Sequence, residues 1–205
     1  MVVKKLLIIS LIFLFQGETN PKTILFFGDS LTAGYGLSTE EAFPSLVGKK
    51  LNEKGNAVKI INAGLSGETS AGGLSRIDWV LRQPIDIFVL ELGPNDGLRG
   101  LPLDQTVKNL QAIIDKVKAK YPKVKVVIAG MMVPPNLGPD YSENFKKIYP
   151  ELARKNNAAL IPFLLQDVAG KEKFNLADGI HPNVEGHKIV AGNVFDVIAP
   201  ILENE

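Results

Sequence analysis

Apolar residues along this chain gather into five short, nearly continuous runs, at residues 23–27, 58–61, 85–92, 124–129 and 159–164. Runs that are apolar on both faces suit strands covered on both sides, as in a parallel sheet. Between them the spacing changes to the helical period. Phe43, Leu46, Val47 and Leu51 recur at three and four residues, and so do Val107, Leu110, Ile114 and Val117 behind an Asp104 placed to cap a helix. A third helical stretch is expected over 141–155. A last one runs from 183 toward 198, with Val190, Val194 and Val197 on one face. Strands alternating with helices of about 10–15 residues predict βαβ units. The expected fold is a single α/β domain over residues 21–205, a flavodoxin-like three-layer α/β/α sandwich with about five parallel strands. No internal repeat, low-complexity tract or linker divides it.

The first 20 residues do not join this pattern. Lys4 and Lys5 precede a ten-residue apolar run, Leu6 to Phe15, and a polar stretch follows. A short positive region before an apolar core predicts a secretory signal peptide. The run is shorter than the about 20 residues that a membrane span needs. The expectation is a periplasmic or secreted protein with no stable membrane insertion once the signal is removed. An uncleaved N-terminal anchor is the alternative.

Composition narrows the chemistry. The chain has no cysteine, which removes disulfides, thiolate catalysis and cysteine zinc sites. It has two histidines, His181 and His187, so a three-histidine zinc centre is impossible. The formal net charge of +1 calls for no nucleic-acid partner. The basic stretch 116–125 alternates Lys with apolar residues and reads as the solvated end of a helix. No metal or organic cofactor is expected, and the sequence assigns no oligomeric state.

In open α/β sheets, ligands bind beyond the carboxyl ends of the strands. The segments there are small, polar and rich in glycine: 28–36 after the first run, 62–69 after the second, 93–97 after the third, and 178–182 near the C-terminus. Ser30 sits at a strand end before a helix start. It is a candidate nucleophile if a base takes its proton, and a helix cap otherwise. His181 has Asp178 three residues earlier on a tight loop, close enough to fix its tautomer and leave Nε2 for Ser30. Gly64 could offer a backbone N–H, and Asn95 its side-chain amide, to a developing oxyanion. Asp29 and Asp96 are expected to hold these loops by accepting backbone N–H bonds. His187, inside the last helix, reads as structural. Two rival motifs fail. The segment from Gly34 lacks the third glycine of a dinucleotide fingerprint, and Ser66 lacks the final glycine of a nucleophile elbow.

Together the four blocks resemble the SGNH (GDSL) hydrolase family, named for a Ser, Gly, Asn and His in separate blocks. The resemblance places these on Ser30, Gly64, Asn95 and His181, with Asp178 completing the D-x-x-H pair. Residues 65–74 and 91–100 are similar to the bacterial thioesterase I / lysophospholipase L1 / arylesterase branch. Pro94 departs from it, since a second glycine is common there, and restricts both itself and Gly93. The resemblance implies a Ser30–His181–Asp178 triad and an oxyanion hole of Ser30, Gly64 and Asn95. It also implies that loops 95–100 and 133–141 border an acyl-chain groove, making Asp29, Leu98 and Pro134 candidate substrate contacts. The implied substrate is a small acyl ester or thioester. A carbohydrate O-acetylester, or a ligand held by a catalytically inactive relative, is the alternative.

Overall fold

The computed structural model describes residues 20–203. Residues 1–19, where the signal peptide or anchor is expected, lie outside the described residues. The described residues form five strands: β1 (Lys22–Gly28), β2 (Val58–Gly64), β3 (Ile87–Glu91), β4 (Lys125–Ala129) and β5 (Ala159–Ile161). They build one sheet in the order β2-β1-β3-β4-β5, and every neighbouring pair is parallel. The two strands at its centre are the most buried. Ile24 to Phe27 of β1 and all of β3 are at most 2% exposed, which is why their sequence is apolar on both faces.

Among the described residues seven α-helices connect and cover the strands: α1 (Ser30–Ala33), α2 (Phe43–Glu53), α3 (Ser70–Val80), α4 (Pro94–Leu98), α5 (Leu103–Lys120), α6 (Pro139–Asn156) and α7 (Val184–Glu203). From β1 the chain steps outward to β2, then crosses back over β1 to β3 and continues to β4 and β5. Right-handed crossovers in opposite directions put α2 on one face and α3, α5 and α6 on the other. Helix α7 returns to pack on α2, while α5 packs against both α3 and α6. The direction of winding reverses between β1 and β3, so the crevice beyond their carboxyl ends is where such a sheet binds ligands.

Several expected boundaries shift for local reasons. Strand β5 stops at Ile161 because Pro162 follows and offers no N–H to the ladder. Asp104 is not the cap of α5. The helix begins one residue earlier, and Asp104 sits in its first turn paired with Lys108 at 3.0 Å. Helix α3 went unread in the sequence because it opens on Ser, Ala and two Gly. Its start is fixed by Thr69, whose hydroxyl accepts the N–H of Gly72 at 3.3 Å. Helix α2 has no side-chain cap of its own. The N–H of Phe43 instead donates to Nδ1 of His187, 144 residues away, at 3.0 Å.

Candidate active site

Ser30 is the first residue of α1, directly after β1. Asp29 is the N-cap, and its Oδ1 accepts the N–H of Leu31 at 3.0 Å. The left-handed Gly34 ends the helix after one turn. The nucleophile candidate is thus held on a strand-to-helix turn with its own N–H left without an intrahelical acceptor.

The partner loop lies between the 3₁₀ turn Glu172–Phe174 and α7. Asn175 bridges to Pro182, and the N–H of Leu176 donates to His181 O at 2.7 Å, closing a tight loop. Gly179 takes a positive φ of 69° within it. Asp178 Oδ1 accepts the N–H groups of Ile180 (2.9 Å) and His181 (3.0 Å), while Oδ2 meets His181 Nδ1 at 2.7 Å. The His181 backbone N–H, with that ring contact, holds the Asp178 carboxyl down at about 2. On the far side of the ring, Nε2 lies 2.9 Å from Ser30 Oγ. The structure therefore brings Asp178, His181 and Ser30 into one hydrogen-bonded line across 151 residues of sequence. Tyr35, which sequence reading passed over, packs against the imidazole with ring centroids 4.5 Å apart.

Asn95 stands in α4, beyond β3. Its Nδ2 donates to Asp29 Oδ2 (3.0 Å) and to Glu68 O (3.1 Å). The turn before it uses Gly93 at φ 116°, where a Cβ would lie 2.6 Å from the Tyr149 hydroxyl. Pro94 is the first helical residue, a position where its missing N–H costs nothing and its fixed φ suits the helix. Pro94 thus serves to start α4 and leaves Asn95 facing the crevice.

Gly64 does not take the part expected of it. Its N–H is taken by Asn62 Oδ1 at 2.9 Å. Its missing side chain has another purpose, since a Cβ there would overlap the backbone of Thr32 and Ala33. Glycine at 64 lets α1 lie against the end of β2. Three residues on, Gly67 has φ 79°, its carbonyl accepts Arg99 at 3.1 Å, and its N–H has no acceptor among the described residues. Ser66, the rival serine, is exposed on this turn with no histidine bonded to it.

The acidic side chains around these groups are largely structural. Asp96 is buried and accepts the N–H and hydroxyl of Ser70 at 2.7 and 2.5 Å. Glu68 pairs with Arg76, which also donates to Ala63 O at 2.8 Å and lies over the Phe27 ring. These bonds tie the ends of β1 and β2 to the loop that carries Glu68 O. Burial lifts the Asp29 carboxyl to about 6, against the lowering effect of its bonds to Leu31, Glu91 and Asn95. His187 is buried, and burial holds its imidazole down at about 4.

Ser30, His181, Asn95 and Asp29 open onto a cleft of about 660 Å3. Its other walls are almost wholly apolar: Leu98, Met132, Pro134, Phe163, Leu165 and Ile180 are among them. Leu98, Met132 and Ile180 are large apolar side chains left exposed, at 45, 38 and 53%. The loops expected to border a groove supply Leu98 and Pro134, and both do line this cleft.

A serine hydrogen-bonded to an Asp-oriented histidine, at the switch point of a parallel sheet and on an apolar cleft, defines a serine-hydrolase type of site. The chain belongs to the GDSL-like lipase/acylhydrolase family, whose pattern matches residues 26–189. It is 38% identical over 182 residues to an esterase, TesA, of Pseudomonas aeruginosa, spanning 88% of this chain and 90% of that one. It is 37% identical to thioesterase 1/protease 1/lysophospholipase L1 of Escherichia coli strain K12, over 89% of this chain and 86% of the relative. Among solved structures, the psychrotrophic esterase EstA from Pseudoalteromonas sp., inhibited by monoethylphosphonate, superposes with a TM-score of 0.83 at 36% identity. That match covers 89% of this chain and 99% of that one. The chain is a carboxylic ester hydrolase with a flavodoxin-like sandwich fold.

Proposed function

We propose that this enzyme transfers acyl groups from esters and thioesters to water through an acyl-enzyme on Ser30. The observation that carries this is the unbroken line Asp178 Oδ2–His181 Nδ1–His181 Nε2–Ser30 Oγ, with contacts of 2.7 and 2.9 Å, opening on an apolar cleft. In the first step His181 takes the Ser30 proton as Oγ attacks the carbonyl carbon, and Asp178 steadies the imidazolium. His181 then gives that proton to the departing alcohol or thiol. Water, deprotonated by the same nitrogen, attacks the acyl carbon, and Ser30 regains its proton from His181.

The oxyanion needs hydrogen-bond donors held beside the reacting carbon. In this proposal they are the N–H of Ser30, the N–H of Gly67, which takes the part expected of Gly64, and the Asn95 amide, one of whose two N–H groups turns from Asp29 Oδ2 or Glu68 O to the oxyanion. Support for Gly67 is its free N–H and its peptide adjoining Glu68, whose carbonyl holds Asn95. The apolar walls suit the hydrocarbon chain of a fatty acyl thioester, aryl ester or lysophospholipid better than a sugar, whose hydroxyls would find few partners there. The names of the esterase, thioesterase and lysophospholipase relatives favour the same substrates. The charged N-terminal segment with its apolar run supports a periplasmic or secreted location. Among the described residues, no helix is long and apolar enough to cross a membrane.

The test is a substrate series on the purified enzyme. Acyl thioesters and p-nitrophenyl esters of rising chain length should gain in kcat/KM as the chain fills the cleft, and Ser30→Ala should abolish all of it. A preference for acetylated sugars over every longer acyl chain would favour the carbohydrate esterase reading.

A further inference from the structure

A second carboxyl lies beneath the Ser30 turn and takes no part in the triad. Glu91 ends β3 and is 1% exposed. Its Oε2 accepts the N–H of Asp29 at 3.1 Å and the hydroxyl of Thr32 at 2.8 Å. Both donors belong to the turn that carries Ser30. Its other oxygen, Oε1, receives no hydrogen bond among the described residues. Room for this carboxyl is made by Gly28, where a Cβ would overlap both Thr32 Oγ1 and Glu91 Oε2. The side chains of Glu91 and Asp29 are in hydrogen-bonding reach of each other. Two carboxylate oxygens can share such a contact only with a proton between them.

We propose that Glu91 is a positioning residue: as a neutral carboxylic acid it donates to the Asp29 carboxylate, and through Asp29 it sets both the Ser30 turn and the Asn95 amide. The proton leaves Oε2 as acceptor for the turn, and the pair carries one negative charge, on Asp29. Asp29 then has Oδ1 on the Leu31 N–H and Oδ2 on Asn95 Nδ2. The surroundings agree with a single charge. Like charges in contact in a dry site cannot both ionise. Burial and the neighbouring Asp29 push the Glu91 carboxyl well above the usual carboxylate range. The other groups that face the pair are His181, which acts on Asp29, and the buried Tyr149 hydroxyl, which donates to Leu92 O. Arg76, which approaches Gly28 O, is held by Glu68.

The inference rests on Ser30 and Asn95 being the working groups, and the experiment separates the two readings. Glu91→Gln keeps an acceptor oxygen and supplies N–H donors, so it can make both bonds of a neutral acid with one N–H to spare, whereas Glu91→Leu supplies neither. Turnover of a p-nitrophenyl ester at pH 7 is measured for both beside wild type and Ser30→Ala. The expected result is a Gln variant within about fivefold of wild-type kcat and a Leu variant down about 10- to 100-fold in kcat at a similar KM, the scale of a displaced reacting group. The infrared difference between wild type and Glu91→Gln should show the carbonyl band of a protonated carboxyl. A Gln variant as slow as Leu, or no such band, would overturn the neutral acid. A Leu variant with wild-type kcat would overturn the positioning role. If the Leu variant does not fold, the Gln variant and the band decide the matter. Turnover retained by Ser30→Ala would instead remove the site reading itself.

Discussion

Acidification should destabilise this fold through His187, and the effect can be sized. The imidazole is 1% exposed, stacks on Phe43 with centroids 6.1 Å apart, and accepts the N–H that opens α2. Protonation would put a charge in that site and turn the accepting Nδ1 into a donor facing a donor. Burial, with a smaller contribution from His181, holds its folded-state value at about 4, below the ordinary 6.5. The unfolded chain therefore binds more protons between these values, so stability rises with pH there and is fully present above about 6.5. Linkage gives a loss of about 1.3 kcal/mol at pH 5.5 and about 2.5 kcal/mol at pH 4.5, relative to pH 7.5. The comparison is with His187→Asn, whose Oδ1 can accept the Phe43 N–H without titrating. Urea unfolding of both proteins at pH 7.5, 5.5 and 4.5 should show the wild type losing ground to the variant by these amounts. A stability difference that stays constant across the three pH values would refute the reasoning.

Other consequences concern the site. Asp178→Asn should leave the fold intact and lower kcat by about 10³–10⁴-fold, because the amide favours the wrong imidazole tautomer; a kcat within tenfold of wild type would remove Asp178 from the triad. Asn95→Ala should fold and lose about 10²–10³-fold in kcat, the scale of one oxyanion donor. Gly64→Ala should act through folding rather than chemistry. Its Cβ would meet the α1 backbone, so thermal melting is expected to fall by an amount equivalent to about 1–3 kcal/mol.

The strands were readable because the central ones are buried on both faces, which leaves no polar alternation to blur them. Their ends were less so, since a proline at 162 or a glycine at 64 matters through neighbours that sequence does not display. The Asp178–His181–Ser30 line proposed as the triad was readable because part of it is local. Asp178 and His181 are three residues apart, and Ser30 follows a strand end. The glycine proposed for the oxyanion could not be picked from sequence, because two glycines three residues apart look alike until the hydrogen bond from Gly64 to Asn62 sets them apart. Glu91 was absorbed into an apolar run. A single acid ending a wholly buried strand was the signal available, and its meaning needed Gly28 and Thr32 brought beside it by the sheet register of β1 and β3. His187 reads as structural from its place in a helix, but its capping of α2 is a contact only the folded chain reveals.

The central claim is that Ser30 is the nucleophile, and covalent capture tests it most directly. The purified enzyme, treated with an alkyl fluorophosphonate and analysed by intact and peptide mass spectrometry, should gain one phosphonyl group on Ser30 as ester turnover falls to zero in proportion. His181→Ala should slow that capture, since the hydroxyl then lacks its base. Complete inhibition with the adduct on another residue, or a Ser30→Ala protein that is still labelled and still turns over, would contradict the account.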